Sequence, residues 1–317
     1  MSDKIKIGIS TCLLGEKVRY DGGHKLDRYL TEILGPFVQW VPVCPEVECG
    51  LSIPREAMHL VDSPDGPRLM TIKTGIDHTP KMQSWTEKRL KDLEREDLCG
   101  YIFKTKSPSS GMRDIKIYHQ DGNILHAKGV GLWANAFMER FPNIPVEDEG
   151  RLNDAGLREN FIERIFVMYR WKQYLRNDPT AGGLVDFHTD HKLLIMAHNT
   201  EKLRELGQIV SAPRTDKWLD RLDQYFELLM NTLKLKATVK KHTNVLDHIM
   251  GYFKKLLTPD EKQELKEIIT NYHDGLVPLI VPVTLLNHYI RKYNDTYLLR
   301  QVYLKPHPIE LMLRNHV

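Results

Sequence analysis

The chain has 317 residues, enough for two ordinary domains, and 41% hydrophobic with 27% charged residues fits packed cores rather than disorder. No run approaches the roughly 18 apolar residues that a membrane helix needs. Met1-Ser2-Asp3-Lys4 leads straight into a strand pattern with no secretory leader, so a cytoplasmic protein with no membrane partner is expected. The net charge of +3 lies in the second half, where residues 186–317 carry 19 Lys or Arg against 16 Asp or Glu.

Lys4 to Ile9 alternates polar and apolar side chains and reads as a strand ending at Ser10-Thr11-Cys12. Asp21-Gly22-Gly23 marks a turn, and Asp27 to Leu34 is a predicted helix. Phe37 to Val43 is a second strand, which stops at Cys44-Pro45-Glu46-Val47-Glu48-Cys49-Gly50, read as a loop. Arg68 to Lys73 is a predicted strand and Pro80 to Glu96 a helix, with Met82, Trp85, Leu90 and Leu93 near helical spacing. Gly100 to Phe103 is a third core strand, followed by the polar loop Lys104 to Gly111. Asp114 to Tyr118 is a further strand and Gly129 to Phe141 a helix. The acidic run Glu147-Asp148-Glu149 reads as a surface excursion, and Asp154 to Arg176 as a long helix.

Strands separated by helices predict an α/β domain with a mostly parallel, Rossmann-like sheet over residues 1–178. The loops after Ile9, Val43 and Phe103 then meet at the carboxyl edge of that sheet, where such folds place their chemistry. Beyond Asn177-Asp178-Pro179 only helices are predicted, at roughly 190–207, 213–235, 239–257, 259–272 and 280–294. The second domain, residues 186–317, is therefore all-α. Lys234, Lys236, Lys240, Lys241, Lys254 and Lys255 face only Asp247 across residues 232–255. They make a candidate phosphate-binding patch or an ordinary solvated face.

In a reducing compartment four cysteines are ligands, catalytic groups or core residues rather than disulfides. Cys12, Cys44 and Cys49 each fall in a strand-end loop. Cys99 falls at a strand entry, the opposite edge, and reads as a buried hydrophobe. On spacing alone, three such thiols suit an iron–sulfur cluster, zinc or no metal equally.

Several motifs together resemble the thiouracil desulfurase family. These are Cys12-Leu13-Leu14-Gly15, Arg19-Tyr20-Asp21-Gly22, Cys44-Pro45-Glu46-Val47, Ile53-Pro54-Arg55 and Lys106-Ser107-Pro108-Ser109. The second half is similar to the YbgA-like domain, through His191 to His198, Gln301 to Leu304 and Pro306-His307-Pro308. The order matches the fused members, which are similar to bacterial tRNA 4-thiouridine desulfidases. The resemblance implies a 4Fe–4S cluster held by three cysteines, with an open iron that binds the thiocarbonyl sulfur. It also implies release of sulfide as water gives the oxo base. The family's third ligand falls where this chain has Ser110. The expected ligand set is therefore Cys12, Cys44 and Cys49, with Cys49 replacing the missing thiol. A site that has lost its cluster, in a non-catalytic RNA-binding or scaffolding protein, is the alternative. Glu46 is expected to handle protons and Ser107 to orient water or the base. Arg19, Asp21, Lys106 and Ser109 are expected around the substrate. tRNA is the expected partner, with the six lysines as its contacts. A free thiobase is the alternative substrate, and no DNA partner is expected.

Overall fold

A computed structural model describes residues 4–177, 179–212 and 217–316. The chain divides into two compact units, one up to Asp154 and one from Ala155 onward. The first runs β1 (Ile5–Ser10), β2 (Val38–Val43), α1 (Pro45–Glu48), β3 (Met58–Val61), β4 (Arg68–Thr71), α2 (Thr79–Glu94), β5 (Gly100–Phe103), β6 (Ile115–Tyr118), β7 (Ile124–Gly129), α3 (Leu132–Arg140) and β8 (Val146–Asp148).

One sheet has the order β2-β1-β5-β8, with every neighbouring pair parallel. Its centre is buried on both faces, as parallel sheets are. Ile5, Ile7 and Ile9 of β1 are buried, and so is all of β5. Gly8 of β1 is required by packing, because a Cβ there would stand 2.2 Å from the Tyr101 ring. Tyr101, Phe103, Trp133 and Phe137 form the aromatic core over this face, with Val41 and Val43. The Trp133 indole N–H donates to the Tyr101 hydroxyl at 3.0 Å, so burial leaves neither polar tip unpaired. A second sheet, ordered β4-β3-β6-β7, pairs β3 with β6 in parallel and its other neighbours antiparallel. Leu60, Leu69, Ile115 and Ile117 from this sheet pack with Met82 of α2. The fold is thus α/β in the first half, as expected, with β1, β2 and β5 all ending on one edge.

The second unit is helical: α4 (Ala155–Asn177), α5 (Ala181–His198), α6 (Thr200–Ser211), α7 (Trp218–Leu233), α8 (Val239–Tyr252), α9 (Pro259–His273), α10 (Ile280–Tyr293) and α11 (Thr296–Leu299). It has no strand among the described residues. Thr258 closes a full capping box with Glu261 ahead of Pro259. A buried polar network ties α4 to the end of the chain. Glu163 accepts from His198 Nε2 at 2.7 Å and from Arg314 Nη2 at 3.4 Å. Arg314 also donates to Glu159 at 3.2 Å and to the Tyr303 carbonyl at 2.6 Å. Burial alone would raise the Glu163 carboxyl, but the His198 hydrogen bond and the neighbouring positive charges hold it down at about 2. Among the described residues no helix is long and apolar enough to cross a membrane.

Helix α1 replaces the loop expected over residues 44–50, and three further expectations differ from the fold. The helix expected at 190–207 is two helices, because Asn199 is extended and its side chain accepts from Glu201 N and Lys202 N, capping a new helix. The acidic run around Glu147 is strand β8, buried against β5. The long helix Ala155–Asn177, grouped by sequence with the first domain, falls in the second unit. Pro213, at the expected start of the next helix, and Asp178, at the expected boundary, lie outside the described residues.

Candidate functional site

The loops after β1, β2 and β5 close around a cavity of about 450 Å³ at the carboxyl edge of the parallel sheet. Cys12 enters from a 3₁₀ turn, Thr11–Leu14, that follows β1 directly. Its carbonyl accepts from Gly15 N at 3.3 Å and Lys25 N at 2.9 Å, which fixes the turn. Cys44 enters from the last extended position before α1. Burial pushes both thiols up to about 11. The positive charges of Lys104 and Arg19 act against that rise at Cys12. Buried thiols of this kind stay protonated at neutral pH until a metal displaces the proton.

Cys49 does not join them. α1 turns the chain through one helical turn between Cys44 and Cys49. Cys49 then packs with Leu60, Leu69 and Met82, and its Sγ contacts the Glu46 carbonyl at 3.3 Å. It does not line the cavity. Among the described residues no three His, Cys, Asp or Glu side chains converge to hold a metal. The expectation of Cys49 as a third ligand beside Cys12 and Cys44 is corrected on this ground. The third loop instead brings Ser110 to the cavity wall, 4% exposed. Cys99 is buried where β5 begins, away from the cavity.

Glu46, on α1, reaches the cavity with both carboxylate oxygens engaged. Arg55 donates to Oε2 through Nε at 2.9 Å and also through Nη2. Ser109 Oγ donates to Oε1 at 2.8 Å. Ser109 and Ser107 hydroxyls lie 3.0 Å apart, and Ser107 Oγ also accepts from Ser110 N at 3.1 Å. The result is a continuous line, Arg55–Glu46–Ser109–Ser107, along one wall. Glu48 leaves the cavity, accepting from Cys44 N at 2.8 Å and pairing with Arg89 at 3.2 Å.

The Ser107–Gly111 loop is held against the start of α3. The Ser109 carbonyl accepts from Trp133 N at 3.0 Å, and Gly131 N donates to the Gly111 carbonyl at 2.7 Å. A Cβ on Gly131 would meet the Ser109 carbonyl oxygen at 2.4 Å, so this approach needs glycine.

Arg19 and Lys106 line the cavity, Lys106 from a left-handed backbone position. Asp21 does not line it. Its carboxylate pairs with Arg19 at 3.2 Å and accepts from Gly23 N at 2.9 Å, so it sets the Arg19 loop rather than the pocket. Lys104 and Arg55 were given no role by sequence. Lys104 pairs with Glu149 and points to the cavity, and Arg55 lies nine residues beyond Glu46 with no periodicity linking the two. The six lysines all belong to the second unit. Lys236, Lys240, Lys254 and Lys255 are exposed, Lys234 donates to Asn231 at 3.0 Å, and Lys241 donates to the His198 carbonyl at 2.6 Å.

A cavity at the strand ends of a parallel sheet, walled by two thiols and a carboxylate–hydroxyl line, defines a small-molecule or base-sized reaction site in an α/β domain. Residues 7–149 match the family model described as 2-thiouracil desulfurase, and residues 192–308 match the protein of unknown function DUF1722. The chain is 33% identical over 165 residues to the uncharacterized protein YbgA of Escherichia coli (strain K12), covering 52% of this chain and 98% of that protein. A solved structure described as the [4Fe-4S]-dependent thiouracil desulfidase TudS is 29% identical, with a TM-score of 0.39, over 49% of this chain and 97% of that one. The chain belongs to the family of YbgA, and its first half carries the match to the 2-thiouracil desulfurase model.

Proposed function

We propose that this chain is an iron–sulfur-dependent desulfidase that converts a thiolated uracil base, foremost 4-thiouridine in tRNA, to the oxo base with release of sulfide. The observation that carries the reading is the Glu46–Ser109–Ser107 line in the same cavity as Cys12 and Cys44. The donor chemistry fits a 4Fe–4S cluster: two soft thiols from separate strand ends, flanked by positive charge, in one cavity. Cys12 and Cys44 would hold it. When bound, the cluster supplies an open iron as a Lewis acid toward the thiocarbonyl sulfur.

The chain's own residues supply the proton handling. Glu46, fixed by Arg55, accepts a proton from the water that attacks the ring carbon. The Ser109 and Ser107 hydroxyls pass protons along the wall toward the departing sulfur. The balance is hydrolytic: carbon exchanges sulfur for the oxygen of water, both protons of water leave with sulfide, and nothing is oxidised. Arg19 and Tyr20, whose guanidinium carbon lies 5.5 Å from the ring centroid, give a flat surface at the mouth for the base.

A tRNA substrate needs phosphate contacts beyond one base, and the exposed lysines of the helical unit supply the charge. The test is a paired assay on the full chain with Lys240, Lys254 and Lys255 changed to Glu. Sulfide release from thiolated tRNA is expected to fall, with a smaller salt slope, while release from free 2-thiouracil stays unchanged. Equal loss on both substrates contradicts the assignment of tRNA binding to this unit.

A further inference from the structure

We infer that the hydroxyl of Ser110 is the third protein donor to the cluster, an oxygen completing a set with the thiols of Cys12 and Cys44; this rests on the cofactor reading above.

A cubane that keeps one iron open takes three donors from the protein, and the cavity offers only two thiols. The third must come from another group on its wall. Cys49 is excluded by its burial among Leu60, Leu69 and Met82. Several hydroxyls line the cavity, and most are committed. Ser10 Oγ accepts from Lys104 N at 3.0 Å. Ser107 and Ser109 are bonded to each other, and Ser109 also to Glu46.

Ser110 is different. Its backbone is pinned, with its N–H on Ser107 Oγ at 3.1 Å and the next N–H on the Ser107 carbonyl at 2.8 Å. Its hydroxyl has no hydrogen bond recorded among the described residues, yet the residue is 4% exposed and lines the cavity. A fixed backbone with an uncommitted hydroxyl on a residue that lines the cavity is what a preorganised ligand needs. Thr11 also lines the cavity, but it adjoins Cys12 on the same turn. With Cys12 and Cys44, Ser110 completes one donor from each of the three loops, after β1, β2 and β5; Thr105 also lines the cavity from the third loop but is less buried than Ser110. On ligation the Ser110 hydroxyl loses its proton to solvent and the alkoxide oxygen binds iron, with no change in oxidation state.

The test is anaerobic reconstitution of the full chain, with iron and acid-labile sulfide counted and the iron sites read by Mössbauer spectroscopy. Wild type is compared with Ser110→Ala, Ser110→Cys, Thr11→Val and Cys49→Ala. Ser110→Ala is expected to lose iron affinity by at least about tenfold, the scale of losing even a supporting partner. Ser110→Cys is expected to retain iron and to shift one site from an oxygen-ligated to an all-sulfur signature. Thr11→Val and Cys49→Ala are expected to match wild type. Wild-type iron content and spectrum in Ser110→Ala overturn the Ser110 assignment alone. Loss of the cluster in Cys49→Ala or Thr11→Val moves the third donor to that residue and likewise overturns it. Wild-type protein that takes up no iron overturns the cofactor reading itself, and this inference with it.

Discussion

Arg55 and Glu46 form the ion pair on which the site's geometry depends, and removing one partner has a calculable cost. The Arg55 side chain is 7% exposed and that of Glu46 is 13% exposed. Arg55 also donates to the Val18 carbonyl at 3.0 Å and to the Ser52 carbonyl at 3.2 Å, so it joins the loop after β1 to the segment after β2. Arg55→Met leaves a nearly buried carboxylate with only the Ser109 hydroxyl. Breaking such a pair costs about 3–5 kcal/mol, because one charge stays desolvated without its partner. Removing both charges in Arg55→Met with Glu46→Gln avoids that penalty, so the double variant should be about 2–4 kcal/mol more stable than the sum of the singles. Hydrogen exchange of the β1 and β2 amides in the full chain reads the opening free energy of the first unit without interference from the second. Single variants within 1 kcal/mol of wild type, or a double variant equal to the sum, refute the account. Either outcome would show the pair to be solvent-screened and incidental. Both singles and the double should lose desulfidation, since each removes or misplaces the Glu46 carboxylate.

Three further outcomes follow from particular contacts. Ser109→Ala interrupts the hydrogen-bonded link between Glu46 and Ser107, and sulfide release should fall about 100-fold with iron content unchanged; undiminished turnover removes Ser109 from the proton path. Gly131→Ala places a methyl 2.4 Å from the Ser109 carbonyl oxygen. It should destabilise the first unit by about 1–3 kcal/mol and impair turnover, measured by urea unfolding and sulfide release; a wild-type profile means the loop has room to move. The helical unit should be acid-sensitive, because burial lowers His188 to about 4 and His191 and His242 to about 3. The unfolded chain then binds protons that the folded one does not, so stability is full above about pH 6.5 and falls as pH drops toward 4. At pH 5.5 each such histidine costs about 1.4 kcal/mol. The midpoint of urea unfolding at pH 7.5 and 5.5 checks this, and a flat profile contradicts it.

The strand ends that build the site were legible because alternation and burial mark β1, β2 and β5, and parallel strands separated by helices must send their loops to one edge. What α1 does was not legible. Four residues are too few for a helical period, although Pro45 at the first position and Glu46 and Glu48 in the first turn are helix-start residues. Reading that stretch as a loop places Cys44 and Cys49 together, whereas one helical turn sends Cys49 into the core of the second sheet. Glu147 and Asp148 look like solvated acids, yet they are 7% and 3% exposed. The Arg151 guanidinium donates to Glu147 at 2.9 Å and the Arg151 backbone N–H donates to Asp148 at 3.0 Å, which makes their burial tolerable. Arg55 falls in the Ile53-Pro54-Arg55 motif, but its pairing with Glu46 was not legible, because the loop that returns it to Glu46 has no period to read. Asn199 was read as helix interior, though its side chain is a cap when the backbone is extended.

The central claim is that water replaces sulfur on a thiolated uracil in the cavity that holds Cys12, Cys44 and Glu46. Its most direct measurement is turnover of thiolated tRNA by the anaerobically reconstituted full chain in heavy-oxygen water, with the nucleosides analysed by mass spectrometry and sulfide counted. The account predicts one heavy oxygen in each product uracil and one sulfide released per base, both absent in Glu46→Gln. Sulfide release without oxygen from water in the product, or no desulfidation of either tRNA or free 2-thiouracil by protein that carries the cluster, contradicts it.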